Sequence, residues 1–393
     1  MVERANAIAS AQARRAGVVF AYEPLPAVRR AYLPDVHGDP FETGAEQIDE
    51  LLERVETAVA GVKADLASRA SLSAARRHVL YSDADGREVS TTFLLSTLLA
   101  SAVVRDPHRP GDGHEWIAGE RGVRDLEADG PERIGAAAAQ HAIEATRARS
   151  PPAGRHRVLC DNTLSGVLAH ESFGHLTEYD LVAMRWSRLH GCLGETFAAE
   201  QVSVVDAPTV AASPREGIRL PFDEEGVEGR PIRVLDRGRL AHWLHVRGSA
   251  RLEGQAPTGN GRALNARAPP IVRMRNTYFE PGDLTVEEAI EQLRDGVYLI
   301  GGRGGAPSST GDFMFTALRG YLVEGGELRA PLRSTAISGN IFDCLRGVEG
   351  LTRDLRVMTT NLGGCGKWNQ SYLPIGMGGP HVLLDSALIG GTS

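Results

Sequence analysis

Beyond residue 200 the chain is divided into short apolar runs by glycine, proline and Asp-containing turns. Clear examples are residues 230–246 (RPIRVLDRGRLAHWLHV), 319–332 (RGYLVEGGELRAPL) and 380–391 (PHVLLDSALIGG). Short apolar runs bounded by turn residues are typical of antiparallel strands. One helix interrupts the pattern, since Thr285 and Glu288 have the spacing of a capping box and Gly296 suits the C′ position. This half of the chain is therefore predicted to be β-rich and largely antiparallel.

The first half of the chain has a different pattern. Residues 1–42 are expected to be irregular because four prolines interrupt them. A helix should follow, because Thr43 and Glu46 have capping-box spacing and apolar residues then recur every three or four positions. Those apolar positions are Ile48, Leu51, Leu52, Val55, Val59, Val62 and Leu66.

The stretch after that helix predicts further elements. Residues 78–89 suggest a strand, an Asp-Gly turn and a second strand, and residues 91–104 another strand. Residues 105–131 are expected to form a loop, and 135–150 a helix that ends before Pro151 and Pro152. We therefore predict an α+β protein, with an N-terminal α/β domain over 1–152 and a β-rich domain over 153–393.

Composition excludes several classes of protein. The 393 residues carry a net charge of −7, which gives no support to a nucleic-acid partner. Four cysteines in so long a chain do not make a disulfide scaffold. The first residues lack an apolar signal segment, and the apolar stretch 91–104 is shorter than the roughly 20 residues that a bilayer requires. We therefore expect a cytoplasmic protein without a membrane partner.

The sharpest chemical feature is H-E-S-F-G-H, from His170 to His175. Two histidines beside a glutamate are typical of metal hydrolases, because neutral imidazole binds zinc and the carboxylate can act as a base. Histidines five residues apart lie about 140° apart around a regular α-helix, so they could not share a metal there. A π-type distortion would bring them together, and Gly174 reduces crowding at that point. The alternative is two polar residues on different faces of a helix.

The surrounding sequence resembles the TldD/PmbA metallopeptidase family. The segment 164–180 (LSGVLAHESFGHLTEYD) resembles its zinc motif, H-E-x-x-x-H followed by E-x-D. Four further blocks occur in the family's order. They are residues 256–265 (APTGNGRALN), 274–283 (MRNTYFEPGD), 310–328 (TGDFMFTALRGYLVEGGEL) and 363–380 (GGCGKWNQSYLPIGMGGP). A segment like GVVFAY (17–22) lies well inside related chains, so the resemblance implies a shortened N-terminal domain.

The resemblance implies one Zn²⁺ per catalytic chain, bound by His170, His175 and Cys365, with Glu171 as the general base. Cys365 is flanked by Gly363, Gly364 and Gly366, which would let a thiolate approach a metal without crowding. The weaker candidates for a ligand are Cys160 and Cys344, which are expected to be small buried apolar groups, and Cys192.

Four more residues are candidates for outer contacts to the metal ligands or for substrate binding. Glu178 and Asp180 match the E-x-D motif, and either orient a bound imidazole or are surface acids at a helix end. Lys367, one of two lysines in the chain, either polarises a carbonyl, holds the Cys365 thiolate, or is an ordinary surface residue. Asn260 lies in the 256–265 block.

Three functions remain open from the sequence. The first is a zinc peptidase that hydrolyses unfolded or modified peptides or peptide-like biosynthetic intermediates, as the resemblance implies. The second is a zinc amidase for one small metabolite of a natural-product pathway, and the third is a non-catalytic scaffold subunit. The resemblance also implies a heterodimer with a PmbA-like paralogue that lacks the metal ligands, with a homodimer as the alternative.

Overall fold

The structure, a computed structural model, describes residues 24–106, 108–211, 215–305, 308–359 and 362–391. Residues 1–23 lie outside the described residues. Three expectations concern them: the irregular start of the chain, the lack of a signal segment, and the shortened N-terminal domain inferred from the GVVFAY segment at 17–22. The predicted irregular stretch extends to residue 42, and its described part contains one short strand, β1.

The N-terminal part of the described chain combines four strands and three helices. These are β1 (Arg29–Tyr32), α1 (Ala45–Val62), β2 (Ala67–Ser82), β3 (Glu88–Val104), β4 (Gly111–Gly119), α2 (Val123–Ala128) and α3 (Pro131–Ala145). Strand β3 is central: β2 pairs with it antiparallel along its whole length. On its other edge, β1 pairs parallel with its first residues and β4 antiparallel with its last nine. The helices cover one face, and the apolar stripe of α1 buries Leu51, Val55 and Val59 there.

Several predicted boundaries in this part are corrected by the structure. Helix α1 has Gly44 as its N-cap without a side-chain hydrogen bond, and the Thr43 hydroxyl instead donates to the Asp39 carbonyl. The predicted capping box is therefore wrong. The strand predicted over 91–104 is the continuation of the second strand of the hairpin, so that β3 runs from Glu88 to Val104. Helix α3 covers Pro131–Ala145, so it both begins and ends earlier than the predicted 135–150.

The prediction of a loop over 105–131 is wrong, since this stretch contains β4 and α2. The sequence of β4 is poor in apolar residues and carries Gly111 and Gly113 near its start. A Cβ at either glycine would overlap the backbone of α3, at the carbonyls of Ala142 and Ala138. These glycines therefore permit close packing of a helix on a strand, although glycine alone is typical of loops.

The C-terminal part contains the remaining elements. Its strands are β5 (Gly154–Cys160), β6 (Val204–Ala207), β7 (Ile232–Asp236), β8 (Arg239–Leu240), β9 (Gly261–Arg262), β10 (Ile271–Val272), β11 (Asn276–Phe279), β12 (Gly296–Arg303), β13 (Asp312–Glu324), β14 (Glu327–Leu332), β15 (Thr335–Asn340), β16 (Val348–Leu351), β17 (Arg356–Met358), β18 (Cys365–Lys367), β19 (Gln370–Leu373), β20 (Gly376–Gly379) and β21 (Val382–Gly391). Its α-helices are α4 (Asn162–Val167), α5 (Tyr179–Ala183), α6 (Arg247–Leu252), α7 (Val286–Leu293) and α8 (Ile341–Arg346), and a π-helix (Leu168–Phe173) and a 3₁₀-helix (Gly174–Thr177) follow α4.

Two large sheets form most of this part of the molecule, and two small two-stranded sheets, β9–β10 and β18–β19, accompany them. One has the order β17-β20-β11-β6-β7-β8, and the other the order β12-β5-β21-β15-β13-β14 with β16 also paired to β21. Most neighbouring strands are antiparallel, and the exceptions are β5 with β12 and β11 with β20. The prediction of an α+β fold with a β-rich, largely antiparallel second half is therefore confirmed.

The segment that carries the histidine motif lies between these two sheets. A Cβ at Gly166 of α4 would overlap the backbone of Gly378 in β20, and one at Gly302 of β12 would lie 2.8 Å from the Val167 side chain. Asp161 caps α4 by accepting from Leu164 N and also accepts from Gly301 N. The start of the motif is thus fixed to both sheets.

The single helix predicted within the β-rich half is α7, and its capping box is present. Thr285 Oγ1 accepts from Glu288 N, and the Glu288 carboxylate accepts from Thr285 N. The predicted C′ role of Gly296 is wrong, because the helix ends at Leu293, Arg294 takes a positive φ, and Gly296 starts β12. Among the described residues, no helix is long and apolar enough to cross a membrane. The division into domains at 152/153 stays a prediction.

Candidate metal centre

The H-E-S-F-G-H motif departs from α-helical geometry where the spacing requires it. His170 lies in the π-helix Leu168–Phe173, and His175 lies in the 3₁₀-helix that begins at Gly174. A π-turn adds one residue per turn, which places positions i and i+5 on a common face. The two imidazole rings meet edge to face with centroids 5.1 Å apart. The predicted π-type distortion between the histidines is therefore confirmed.

Gly174 lies where this turn is most crowded. A Cβ built at Gly174 would overlap Sδ of Met274 and lie 3.1 Å from the Ala169 carbonyl oxygen. Met274 is itself buried beneath the turn. The absence of a side chain at this position therefore allows the π-turn to pack on Met274, as the sequence suggested.

Cys365 comes to the same place from 190 residues further along the chain. It starts the β18–β19 hairpin, and its Sγ lies 3.2 Å from Nε2 of His175. Of its flanking glycines, Gly364 is needed because a Cβ there would lie 2.5 Å from the Leu373 carbonyl oxygen. Within the described part of the chain, a Cβ at Gly363 would have open space around it, and one at Gly366 would meet only ordinary contacts. Crowding therefore requires glycine at one of the three positions.

The three side chains form a set of donors that suits a metal ion. One ligand atom from each of His170, His175 and Cys365 lies within 4.8 Å of the other two, and all three residues are buried. Both ring nitrogens of His170 are buried without a hydrogen-bond partner among the described residues. An unpartnered buried nitrogen is costly, and a bound cation would satisfy it. Two imidazoles and a thiolate are ligands that zinc prefers, so the residues fit this metal.

The charges around Cys365 favour its thiolate. Burial alone would raise the pKa of the thiol, but the facing His175 and His170 rings outweigh it and lower the pKa of Cys365 to about 4. Burial likewise opposes the charged form of His175, and the Glu178 carboxylate and Cys365 raise the pKa of His175 above its ordinary value. The thiolate is the form of cysteine that binds metals.

Glu171 borders this donor set without being part of it. Its Oε2 lies 3.8 Å from His175 Nε2, and its side chain is 19% exposed whereas the three donors are buried. A Cβ at Gly305 would lie 3.3 Å from Cγ of Glu171 and 2.5 Å from the Phe315 ring. The backbone at Gly305 therefore passes close to the Glu171 side chain. This carboxylate is placed to exchange protons with a group bound at the donor set.

Glu178, Asp180 and Lys367 form one network behind His175. Glu178 is fully buried, and its Oε2 accepts from Nδ1 of His175 at 2.7 Å. Nζ of Lys367 lies 3.2 Å from the same oxygen and 2.9 Å from both carboxylate oxygens of Asp180. The interpretations of Glu178 as a surface acid and of Lys367 as an ordinary surface lysine are therefore wrong, because both are buried.

The remaining sequence candidates lie in other surroundings. Asn260 is buried and donates to Asp206 Oδ1 and to the Arg273 carbonyl, which places it in a polar network around the Asp206–Arg275 ion pair. Cys160 and Cys344 are buried, as predicted. Cys192 is half-buried beside carbonyl groups of its own loop.

Sequence reasoning missed Arg273. Its buried guanidinium donates to the carbonyls of Cys365 at 2.5 Å and of Gln370 at 3.0 Å, so it holds both strands of the hairpin that carries the thiol. The signal available in the sequence was the run IVRMRN at 271–276, where two arginines alternate with apolar residues. Charged residues are almost never fully buried unless they are paired, so arginines within an apolar run indicate buried partners.

Known proteins of similar sequence carry the names of metalloproteases. The sequence model of the PmbA/TldA metallopeptidase C-terminal domain matches residues 153–391. A metalloprotease of Methanothermobacter thermautotrophicus is 38% identical over 297 residues, which is 75% of this chain and 63% of that protein. A zinc metalloprotease TldD homolog of Saccharolobus solfataricus is 34% identical over 249 residues, 63% of this chain and 54% of that protein. The match thus covers less than two thirds of either relative.

A solved structure resembles the whole described fold. TldE from Thermococcus kodakarensis superimposes with a TM-score of 0.75, covering 95% of this chain and 80% of that one at 19% identity. This likeness extends the agreement in fold to the N-terminal part, which the family domain does not cover. The domain match over most of the C-terminal part, together with the metalloprotease relatives, shows that the chain belongs to the PmbA/TldD metallopeptidase family.

Proposed function

We propose that this chain is a zinc-dependent peptidase in which His170, His175 and Cys365 bind the metal. The observation that carries the proposal is the convergence of these three buried donors within 4.8 Å, from a distorted helix and a distant hairpin. The unpartnered nitrogens of His170 support it further, because packing alone does not account for a buried imidazole with both nitrogens unsatisfied.

The residues around the metal would divide the chemistry between them. Zinc bound there would supply Lewis acidity toward the scissile carbonyl and the attacking water. Glu171 takes the proton of that water on its carboxylate as the oxygen attacks the carbonyl carbon, and gives it to the amine nitrogen as the C–N bond breaks. Glu178, by accepting from Nδ1 of His175, leaves Nε2 of that ring as the ligand atom.

We propose unfolded or modified peptides, or peptide-like biosynthetic intermediates, as the substrates. The metal donors are buried, and Glu171 is the most exposed of the reactive groups at 19%. A site so enclosed admits an extended chain more readily than the surface of a folded protein. The names of the metalloprotease relatives support hydrolysis of peptide bonds.

We also propose that the chain assembles with a PmbA-like paralogue that lacks the metal ligands, with a homodimer as the alternative. The support in this chain is a row of side chains across three strands of the seven-stranded sheet. Met314, Ser338 and Leu388 lie in register on β13, β15 and β21. Met314 is 71% exposed and Leu388 46%. Two exposed apolar side chains on either side of a small serine supply apolar surface on one sheet face, and exposed apolar surface is a feature of interaction sites.

Metal analysis combined with a cleavage screen tests the activity. Purified protein should hold about one zinc per chain, and mass spectrometry should detect hydrolysis of unfolded peptides in a library that also contains small amides. Glu171→Gln should keep the zinc and lose about 10²–10⁴-fold in rate. The matched control is Glu287→Gln, on the exposed first turn of α7. Cleavage by Glu171→Gln at the wild-type rate would show that the base lies elsewhere, and hydrolysis confined to one small amide would replace the peptidase by an amidase.

Size measurement of the chain alone and with a genomically adjacent homologue tests the assembly. Met314→Asp should weaken association, whereas Leu80→Asp, at an exposed apolar position of β2, should leave it unchanged. A dimer formed by the chain alone would favour the homodimer. A monomer that hydrolyses peptides fully, whether or not the homologue is added, would refute assembly.

A further inference from the structure

Lys367 is held in a buried site that places its charge behind a metal-ligand candidate rather than at the reacting atoms. Its ammonium donates to both carboxylate oxygens of Asp180 and to the carbonyl oxygen of Val272, and Oε2 of Glu178 lies 3.2 Å from Nζ as an ion-pair partner. Each of these groups is an acceptor, so the donors of Lys367 are fully used. Lys367 therefore has no free donor with which to polarise a substrate carbonyl.

We propose that Lys367 is a positioning residue for the metal centre, which holds Glu178 against His175 and joins the Cys365 hairpin to the His175 turn. The inference rests on the proposed ligand set and deepens it. Lys367 is two residues from Cys365 on the same strand, β18. Glu178 and Asp180 follow His175 directly in the chain, so the ammonium connects the two segments that supply the thiolate and the second imidazole.

The geometry explains why Glu178 depends on this lysine. Glu178 is fully buried and uses Oε2 both for His175 Nδ1 and for Lys367 Nζ, at 2.7 and 3.2 Å. A buried carboxylate needs a nearby cation to offset its desolvation. Without the ammonium, the carboxylate would be left with the imidazole as its main partner, and the orientation of the His175 ring would loosen.

The chemistry of the site also explains why lysine stands here in a chain where 43 basic residues include only two lysines. An ammonium is compact and can direct three hydrogens toward separate acceptors, whereas a guanidinium is planar and larger. Asp180 and Glu178 approach the same Nζ from one helical segment, and Val272 approaches it from β10. An arginine in this space would displace at least one of these groups.

The test measures zinc affinity by competition with a chromophoric chelator, and ligand geometry by the absorption spectrum of the Co²⁺-substituted protein. Lys367→Met should bind zinc about 10–100-fold more weakly, as other changes to groups that orient metal ligands do. Lys367→Arg should recover little of this loss. Lys63→Met is the matched control, because it removes the other lysine, which is half-exposed and paired with Asp65. It should bind zinc as the wild type does.

Two further variants separate positioning from a general effect on folding. If Lys367 acts through Glu178, the zinc affinity of Lys367→Met/Glu178→Gln should be close to that of Glu178→Gln, because the two losses are not independent. Asp180→Asn keeps the ammonium and should weaken zinc binding by a smaller factor, so it serves if Lys367→Met fails to fold. Both Lys367→Met and Asp180→Asn should shift the Co²⁺ absorption bands, which a merely structural role would leave in place.

The outcomes distinguish this inference from the proposed function. Wild-type zinc affinity and an unchanged Co²⁺ spectrum in Lys367→Met or Asp180→Asn would overturn the positioning role and leave the zinc site intact. Losses that add fully in the double variant would also overturn it. A wild-type protein that binds neither zinc nor Co²⁺ would overturn the proposed function itself.

Discussion

Replacement of Gly174 by alanine adds one methyl group at the point where the π-turn meets Met274. The new Cβ would overlap Sδ of Met274, lie 3.3 Å from its Cε and lie 3.1 Å from the Ala169 carbonyl oxygen. Met274 is buried, so its side chain has little room to move away. We therefore expect the turn to shift, and because His175 follows Gly174 directly, the shift should change the distance between the two histidines.

Two opposing effects set the change in the free energy of unfolding caused by Gly174→Ala. Overpacking of a buried site by a methyl group costs about 1–3 kcal/mol. Alanine recovers up to about 1 kcal/mol in helical backbone, but this gain is smaller in a distorted turn. We therefore expect a net loss of about 1–2 kcal/mol, or a few degrees in Tm. Zinc affinity should fall by about 10–100-fold, as when a group that orients a ligand is changed.

Thermal unfolding and zinc competition measure these two effects. Gly363→Ala is the control, because a Cβ there meets none of the described residues within 4 Å although the position lies two residues from Cys365. The double variant with Met274→Ala removes the atoms that clash, so its cost should be smaller than the sum of the single costs by about 1–3 kcal/mol. Additive costs, or unchanged zinc affinity in Gly174→Ala, would refute the role assigned to this glycine.

Three further predictions follow from other contacts. Cys365→Ser should lower the zinc content well below that of the wild type, because a serine hydroxyl is a poor zinc ligand. The control variant Cys192→Ser should keep the wild-type zinc content. A wild-type zinc content in Cys365→Ser would remove Cys365 from the ligand set. Asp206→Asn leaves the fully buried Arg275 guanidinium without its counterion and should cost about 3–5 kcal/mol in denaturant unfolding, so a cost under about 1 kcal/mol would contradict it. Burial lowers the pKa of His245 to about 4 from 6.5. Because the folded pKa lies below the unfolded one, the unfolded protein takes up a proton at this residue first as the pH falls. The contribution of the neutral His245 to the free energy of unfolding is therefore complete above pH 6.5 and is lost as the pH falls toward 4, by up to about 1.4 kcal/mol per pH unit. His245→Gln should reduce that loss in unfolding curves recorded between pH 7 and 4.5, and equal losses in both proteins would contradict the assignment.

Local sequence patterns predicted the elements whose stability is local. The capping box of Thr285 and Glu288 forms as the spacing requires, because both partners lie within one turn of the same helix. The capping box expected at Thr43 fails, because the Asp39 carbonyl takes the threonine hydroxyl instead. The prediction of a loop at β4 is wrong, because the glycines that suggest a loop instead permit the close approach of α3, a contact that no local pattern contains.

In the metal centre, too, the local sequence determined some features and the tertiary structure decided the others. The five-residue spacing of His170 and His175 determined that a regular α-helix could not bring them together, and the π-turn follows from that spacing. The resemblance to a known family predicted Cys365 as a metal ligand, but only the tertiary structure brings its thiol to within 3.2 Å of His175. The buried contacts of Lys367 and Arg273 were decided by the fold alone. Their partners come from distant segments, and a buried charge acquires its function from whichever groups the fold places around it.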